Sequence, residues 1–274
     1  EGGLAYFTAD DTYRLCDGND DWVTLYSSAN AGALDDLSDV ITEYAAHYNM
    51  YLGSSAGVTS SAGAVQNLAL GQNALNSIDS ATCDASADTT CDSNLAIGYN
   101  AATAITTGAR NIALGGSALS GNTTQTDNIA IGESAMTGAL TSSNNIAIGR
   151  RALRTNTGGG NIAIGSAALG SNSGGDAYRN VGVGYAVGLS LTTSTDNVGV
   201  GYEAMKSTST ASSNVALGAI ALHEAKAISR NVAVGNAAMQ YANDTTTAAD
   251  TYNVAVGYRA LYGSTTAANN TGVE

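Results

Sequence analysis

The sequence has no proline, one tryptophan, one phenylalanine, three cysteines and two histidines in 274 residues. Without proline, no Pro-rich linker marks a domain boundary. Charged residues make up only 12%, with 10 Lys and Arg against 23 Asp and Glu, a net charge of −13. That balance argues against nucleic acid as a partner, because phosphate binding needs clustered Lys and Arg. No apolar run reaches the ~18 residues that a membrane helix needs, so no membrane span is expected. The chain opens at Glu1 without a leader, and it reads as mature, cropped or exported without one.

The scarcity extends to chemistry-bearing groups. His47 and His223 lie far apart and have no zinc-ligand spacing to cysteine. Serine is abundant, but no nucleophile-elbow motif accompanies it. Gly158-Gly159-Gly160 lacks the Lys-Ser/Thr of a phosphate loop. Acidic residues are scattered, so no glycosidase pair stands out. Asp17, Asn19 and Asp21 alternate as in a calcium loop, but the remaining EF-hand ligands are missing, and an acidic turn is expected. The expectation is a non-enzymatic protein with no cofactor and no metal.

What is present is a repeat. Asn145-Ile146-Ala147-Ile148-Gly149, followed by Ala152-Leu153, recurs along most of the chain. Asn111, Asn128, Asn145, Asn161, Asn197, Asn214, Asn231 and Asn253 open copies, Asn49, Asn67, Asn94 and Asn180 open looser ones, and Asn270 begins a truncated one. The spacings from Asn49 are 18, 27, 17, 17, 17, 16, 19, 17, 17, 17, 22 and 17. Such regularity means stacked units.

Each position has a physical reading. Alternation of Ile146 and Ile148 with Ala147 is the period of a strand with one face inside. The middle residue, Ala or Gly in almost every copy, must meet a close neighbour, either an opposing layer or another chain. The fifth position is glycine at Gly98, Gly115, Gly132, Gly149, Gly165, Gly184, Gly201, Gly218, Gly235 and Gly257, as a corner of positive φ requires. The following Ala and larger apolar residue suggest a second short strand. Thr, Ser, Asn, Gly and Asp complete a return loop. The fold class expected is all-β: a parallel β-solenoid or β-roll of about 12–13 coils of ~17 residues, with Asn side chains forming a ladder. Residues 1–30 read as a small N-terminal β region, 31–48 as a connector with at most a short helix, and 49–274 as the repeat array. Each coil has few large apolar side chains to offset the ordering cost of about 1–2 kcal/mol per residue, so association between chains is expected. Because the last copy is incomplete, either the chain continues past residue 274 or something covers that end. Coils of one subunit could also continue onto the next as a filament.

Three further features bear on sites. Cys83 and Cys91 bracket a short polar loop and could form a disulfide, with Cys16 left over. Tyr99, Tyr185, Tyr202 and Tyr258 follow the corner glycine, and could either stack on a surface ligand or cover the coil edge. Asn122, Asn243 and Asn269 fit the Asn-x-Ser/Thr glycosylation pattern.

Asn253-Val254-Ala255-Val256-Gly257-Tyr258-Arg259-Ala260-Leu261 and Asn197-Val198-Gly199-Val200-Gly201-Tyr202-Glu203-Ala204-Met205 resemble the repeats of phage tail-fibre proteins. They are also similar to the head repeats of trimeric autotransporter adhesins. Tyr13, Cys16, Asp17, Gly18 and Trp22, and the run Leu34 to Val40, resemble segments that precede such arrays. The resemblance implies a left-handed parallel β-roll, trimerised about a long axis. It further implies an extracellular, cell-surface or virion location, and attachment to a surface glycan or protein receptor.

Overall fold

The computed structural model describes residues 49–57, 64, 66–78, 83, 91–138, 142–155, 158–170, 177–242, 249–263 and 269–274, together with the backbone of four strands in residues 6–43. Those four are β1 (Tyr6–Phe7), β2 (Thr12–Cys16), β3 (Trp22–Tyr26) and β4 (Val40–Glu43). The first three form an antiparallel sheet in the order β1-β2-β3. Asp17, Asn19 and Asp21, and most of residues 31–48, lie outside the described residues.

The repeat supplies the rungs β5 (Asn49–Leu52), β6 (Leu68–Leu70), β7 (Leu95–Ile97), β8 (Ile112–Leu114), β9 (Ile129–Ile131), β10 (Ile146–Ile148), β11 (Ile162–Ile164), β12 (Val181–Val183), β13 (Val198–Val200) and β14 (Val215–Leu217). After a short β15 (Ile228–Ser229) come β16 (Val232–Val234), a second short strand β17 (Ala249–Asp250), then β18 (Val254–Val256) and β19 (Thr271–Val273). Each rung pairs in parallel with the next, and the register never slips. Ile129, Ile146 and Ile162 stack, as do Ala130, Ala147 and Ala163. Thirteen parallel strands therefore form a β-solenoid. Twelve steps of about 4.8 Å make a ladder roughly 58 Å long.

At the first rung, β4 pairs antiparallel with β5, Ile41 opposite Tyr51. The sequence reading expects at most a short helix here. A strand wins because the outer edge of an end rung otherwise leaves a row of backbone N–H and C=O groups unpaired.

The rungs turn the other way from the bulk of their side chains. Ala147 is fully buried, whereas Ile146 is half-buried and Ile148 is 36% exposed. The small residue faces the core and the branched ones face outward. The reason is the narrow interior. Its opposite wall is the Ala152-Leu153 pair and its equivalents, buried except for the partly buried Leu261, and their Leu and Met side chains reach across to the rung. A methyl placed on Gly182 would lie 3.0 Å from Cγ of Leu169, and one on Gly199 would lie 2.6 Å from Cγ1 of Val187. At Gly199 even a methyl would force a shift, and a side chain larger than Ala would crowd the wall further. The close neighbour of the middle position is thus an opposing layer of the same chain.

That wall is not the second short strand the repeat suggests. Ala152 N–H donates back to Gly149 O at 3.2 Å as a turn, while Leu153 N–H donates to Ala168 O of the next coil at 3.0 Å. Leu153 holds φ at +46°, and Leu119, Met136 and Leu169 repeat this left-handed conformation one per coil. It costs a bulky residue about 1–2 kcal/mol. The axial hydrogen bond and the buried side chain hold it there.

A further core column lies three residues beyond the Leu: Ile78, Ile105, Asn122, Leu191, Thr208, Ala225 and Ala242, all buried. Asn122 is the exception in chemistry, for among the described residues neither its Nδ2 nor its Oδ1 has a hydrogen-bond partner. An unpaired buried amide costs about 1–3 kcal/mol. Asn122→Leu, which matches the column in size, is therefore expected to raise the unfolding free energy by about 1–3 kcal/mol. Urea denaturation followed by circular dichroism measures this, and a less stable variant would contradict it.

Candidate functional site

The asparagines form an unbroken ladder at the start of the rungs. Oδ1 of each accepts the backbone N–H of the next: Asn145 N–H donates to Asn128 Oδ1 and Asn161 N–H to Asn145 Oδ1, both at 2.9 Å. The same contact runs through Asn67, Asn94, Asn111, Asn180, Asn197, Asn214, Asn231, Asn253 and Asn270. In most steps Nδ2 also donates to the Oδ1 of the preceding coil, as from Asn197 to Asn180 at 3.0 Å. Near the end the pattern shifts. The Thr251 hydroxyl donates to Asn231 Oδ1 at 2.7 Å, and Asn253 Nδ2 has no partner among the described residues. These asparagines from Asn49 to Asn253 are at most 4% exposed, so they stabilise the stack and are inaccessible to a ligand. The corner glycines from Gly98 to Gly257 stack directly on one another, with φ between +127° and +139°.

Outside the rungs, the branched side chains build an apolar face. Two columns run its length, one led by Ile129, Ile146 and Ile162, the other by Ile131, Ile148 and Ile164. Exposure persists along the array: Leu70 41%, Ile164 39%, Val200 38%, Leu217 38% and Val256 40%. Two columns about 7 Å apart and ~58 Å long give a strip on the order of 400 Å². A monomer's largest apolar patch is usually about 300–600 Å² and is often functional.

The tyrosines after the corner are exposed, but their flat faces are not all free. Tyr185 and Tyr202 stack on each other, centroids 5.5 Å apart and planes 10° apart, so each turns one face to the other along the axis. Arg259 lies over the Tyr258 ring at 5.3 Å. Tyr99 stands 57% exposed. This arrangement favours tyrosines covering the coil edge over a continuous stacking platform.

Beside the stacked pair sits the most connected charge network. Glu203 receives Lys206 at 2.8 Å and His223 Nε2 at 3.2 Å. The Lys206 ammonium holds the Glu203 carboxyl below its ordinary range, against the opposing effect of burial and with the His223 hydrogen bond in support. Two bidentate pairs join adjacent coils just before the asparagines. In Arg110–Asp127 and Arg179–Asp196 the guanidinium holds the carboxyl below its usual range, at 2.7 Å in each case. Such exposed pairs contribute little to stability. Cys83 and Cys91 are joined in a disulfide. Of the glycosylation candidates, Asn122 is wholly buried and cannot be an acceptor, Asn269 is exposed, and Asn243 lies outside the described residues.

Sequence reasoning missed one feature. Arg150, Arg151 and Arg154 follow the Gly149 corner, and Arg151 and Arg154 line a notch of about 180 Å³ with Ala167, Gly170 and Leu189. The signal was available, since three of the ten basic residues fall within five positions. Among the described residues no three His, Cys, Asp or Glu side chains gather to hold a metal ion, and no helix is long and apolar enough to cross a membrane. Comparison with protein-family models, with curated proteins and with solved structures returns no match.

Proposed function

We propose that this chain is a non-enzymatic segment of an extracellular fibre, which associates as a homotrimer along its outward Ile/Val face and serves in surface attachment. The apolar strip carries the reading. It runs the length of the array in two unbroken columns, at the size of the apolar patches that are often functional. A stable interface buries about 800 Å² per partner. The strip supplies roughly half of that, and its margins must supply the rest when copies stand side by side. Three copies around one axis turn every strip inward and leave no strip exposed, as closed symmetry requires. Burial of the strip also makes up for a core built largely of alanine. The likeness of the repeat to fibre and adhesin repeats supports attachment as the use of such a rod.

Native mass spectrometry tests the assembly. Three chains per particle are expected. A single chain with intact β structure would overturn the trimer. Unlimited fibres seen by electron microscopy would instead favour end-to-end assembly.

A further inference from the structure

From the Arg-lined notch we infer that the chain carries a binding site for an acidic sugar, one bearing a carboxylate or sulfate, on the coil wall opposite the apolar rungs. This deepens the attachment reading and rests on it, by naming the class of group recognised.

The notch comes from one missing side chain. Five residues after each corner glycine the coils place Thr137, Arg154, Gly170, Leu189 and Lys206 in successive layers. Gly170 is the layer without a side chain, and Ala167 beside it is small. The gap is therefore floored by Gly170 and Ala167, walled by Arg151 and Arg154 on one side and by Leu189 on the other. Its volume, about 180 Å³, is below the ~300–1,000 Å³ of sites for drug-sized ligands. It admits one acidic group and the edge of its ring, the tip of a chain.

The cations there are uncommitted. Arg110, Arg179, Lys206 and Arg230 each pair with a carboxylate, and Arg259 lies over tyrosine rings. Arg151 and Arg154 are both exposed and, among the described residues, no ion pair reaches either. Arg150 lies one coil above Glu133, which is the nearest acidic residue in its column, so the site is assigned to the other two arginines. A guanidinium fork matches the geometry of a carboxylate or sulfate. Leu189 offers an apolar surface to the C–H edge of a sugar ring. The rest of the surface is acidic, with a net charge of −13. Beyond about 8 Å that field is screened, so a single terminal acid is accepted, while a long nucleic acid lying along the rod would meet repulsion at many points.

The test is titration calorimetry of the intact protein with sialyllactose, a sulfated lactose and plain lactose, alongside the Arg151→Ala/Arg154→Ala double variant. Binding of either acidic sugar, weakened by about 10–100-fold in the double variant and by added salt, supports the inference. Which acidic sugar binds identifies the group. Equal binding of plain lactose, unchanged in the double variant, overturns the inference and leaves the attachment reading standing. Acidic-sugar binding that survives both substitutions overturns it too. Failure to bind any sugar on a broad glycan array and any host-surface protein defeats both. Arg151 and Arg154 point away from the core, so the far-ultraviolet spectrum of the double variant should match the parent and separate lost binding from lost fold.

Discussion

Gly149→Ala should destabilise this protein by about 2–6 kcal/mol. Two costs combine. Gly149 holds φ at +131°, a region nearly closed to residues with a Cβ and worth about 1–3 kcal/mol of strain. The new methyl would also lie 2.5 Å from the carbonyl oxygen and 2.6 Å from the carbonyl carbon of Gly165. Both are backbone atoms, so no side chain can rotate away, and overpacking of this kind costs a further 1–3 kcal/mol or so. The strand cannot shift to make room, since Gly149 N–H is bonded to Ile131 O and Gly165 N–H to Ile148 O, each at 2.7 Å. In a stack where each coil touches only its neighbours, a fault near the middle uncouples the two halves. Gly116 supplies the control. It sits one residue past a corner, and a methyl there would meet nothing closer than Tyr99 O at 4.0 Å. Gly116→Ala should leave stability unchanged or raise it by up to ~1 kcal/mol. Thermal and urea unfolding of the two variants decide the matter. Equal midpoints would mean that the corner tolerates a side chain and that the glycine column needs another explanation.

The contrast between these glycines shows what the repeat makes readable. The Asn column, the glycine corner and the in-register parallel rungs all follow from letters at fixed positions. Direction of the faces does not. Alternation of Ile146 with Ala147 shows that two faces differ, and bulk alone would send isoleucine inward. The outcome is set by Leu153 and Leu169 on the opposite wall, which occupy the space first and leave little room beyond alanine. Volume across a gap is a three-dimensional quantity, which a one-dimensional pattern does not carry. The left-handed Leu residues were hidden for a similar reason. No propensity places leucine at φ near +50°; the axial hydrogen bond of the finished stack does. Strand β4 replaced a helical spacing because an end rung offers edge bonds that exist only once the coil has formed. The arginine notch needed the register of three coils before Gly170 became a gap between Arg154 and Leu189.

The same inversion of faces yields the second large effect. Ile131, Ile148 and Ile164 occupy one outward column in consecutive rungs. Substituting lysine at all three should leave the coil intact and abolish the proposed trimer. Within one chain these side chains already face outward, Ile148 at 36% and Ile164 at 39% exposure, so a lysine can lay its stem along the strand and reach water. Around a shared axis the account reverses. Burying an isoleucine contributes about 1.5–3 kcal/mol, lost at three positions in every chain, and the ammonium groups brought together are like charges taken out of water with no partner. Native mass should therefore fall to a single chain while the β signal persists. A variant with threonine at the same positions keeps the β-branched shape that strands prefer and adds no charge, so it should weaken the trimer without dispersing it at high concentration. If the lysine variant keeps the parent's mass, the chains meet elsewhere and the apolar strip is not their contact. If it loses its β signal while the threonine variant retains both fold and trimer, the outward column matters to the coil itself. Monomeric rods from lysine and a concentration-dependent trimer from threonine would together assign the strip to association, because nothing in the isolated coil distinguishes the two substitutions so sharply.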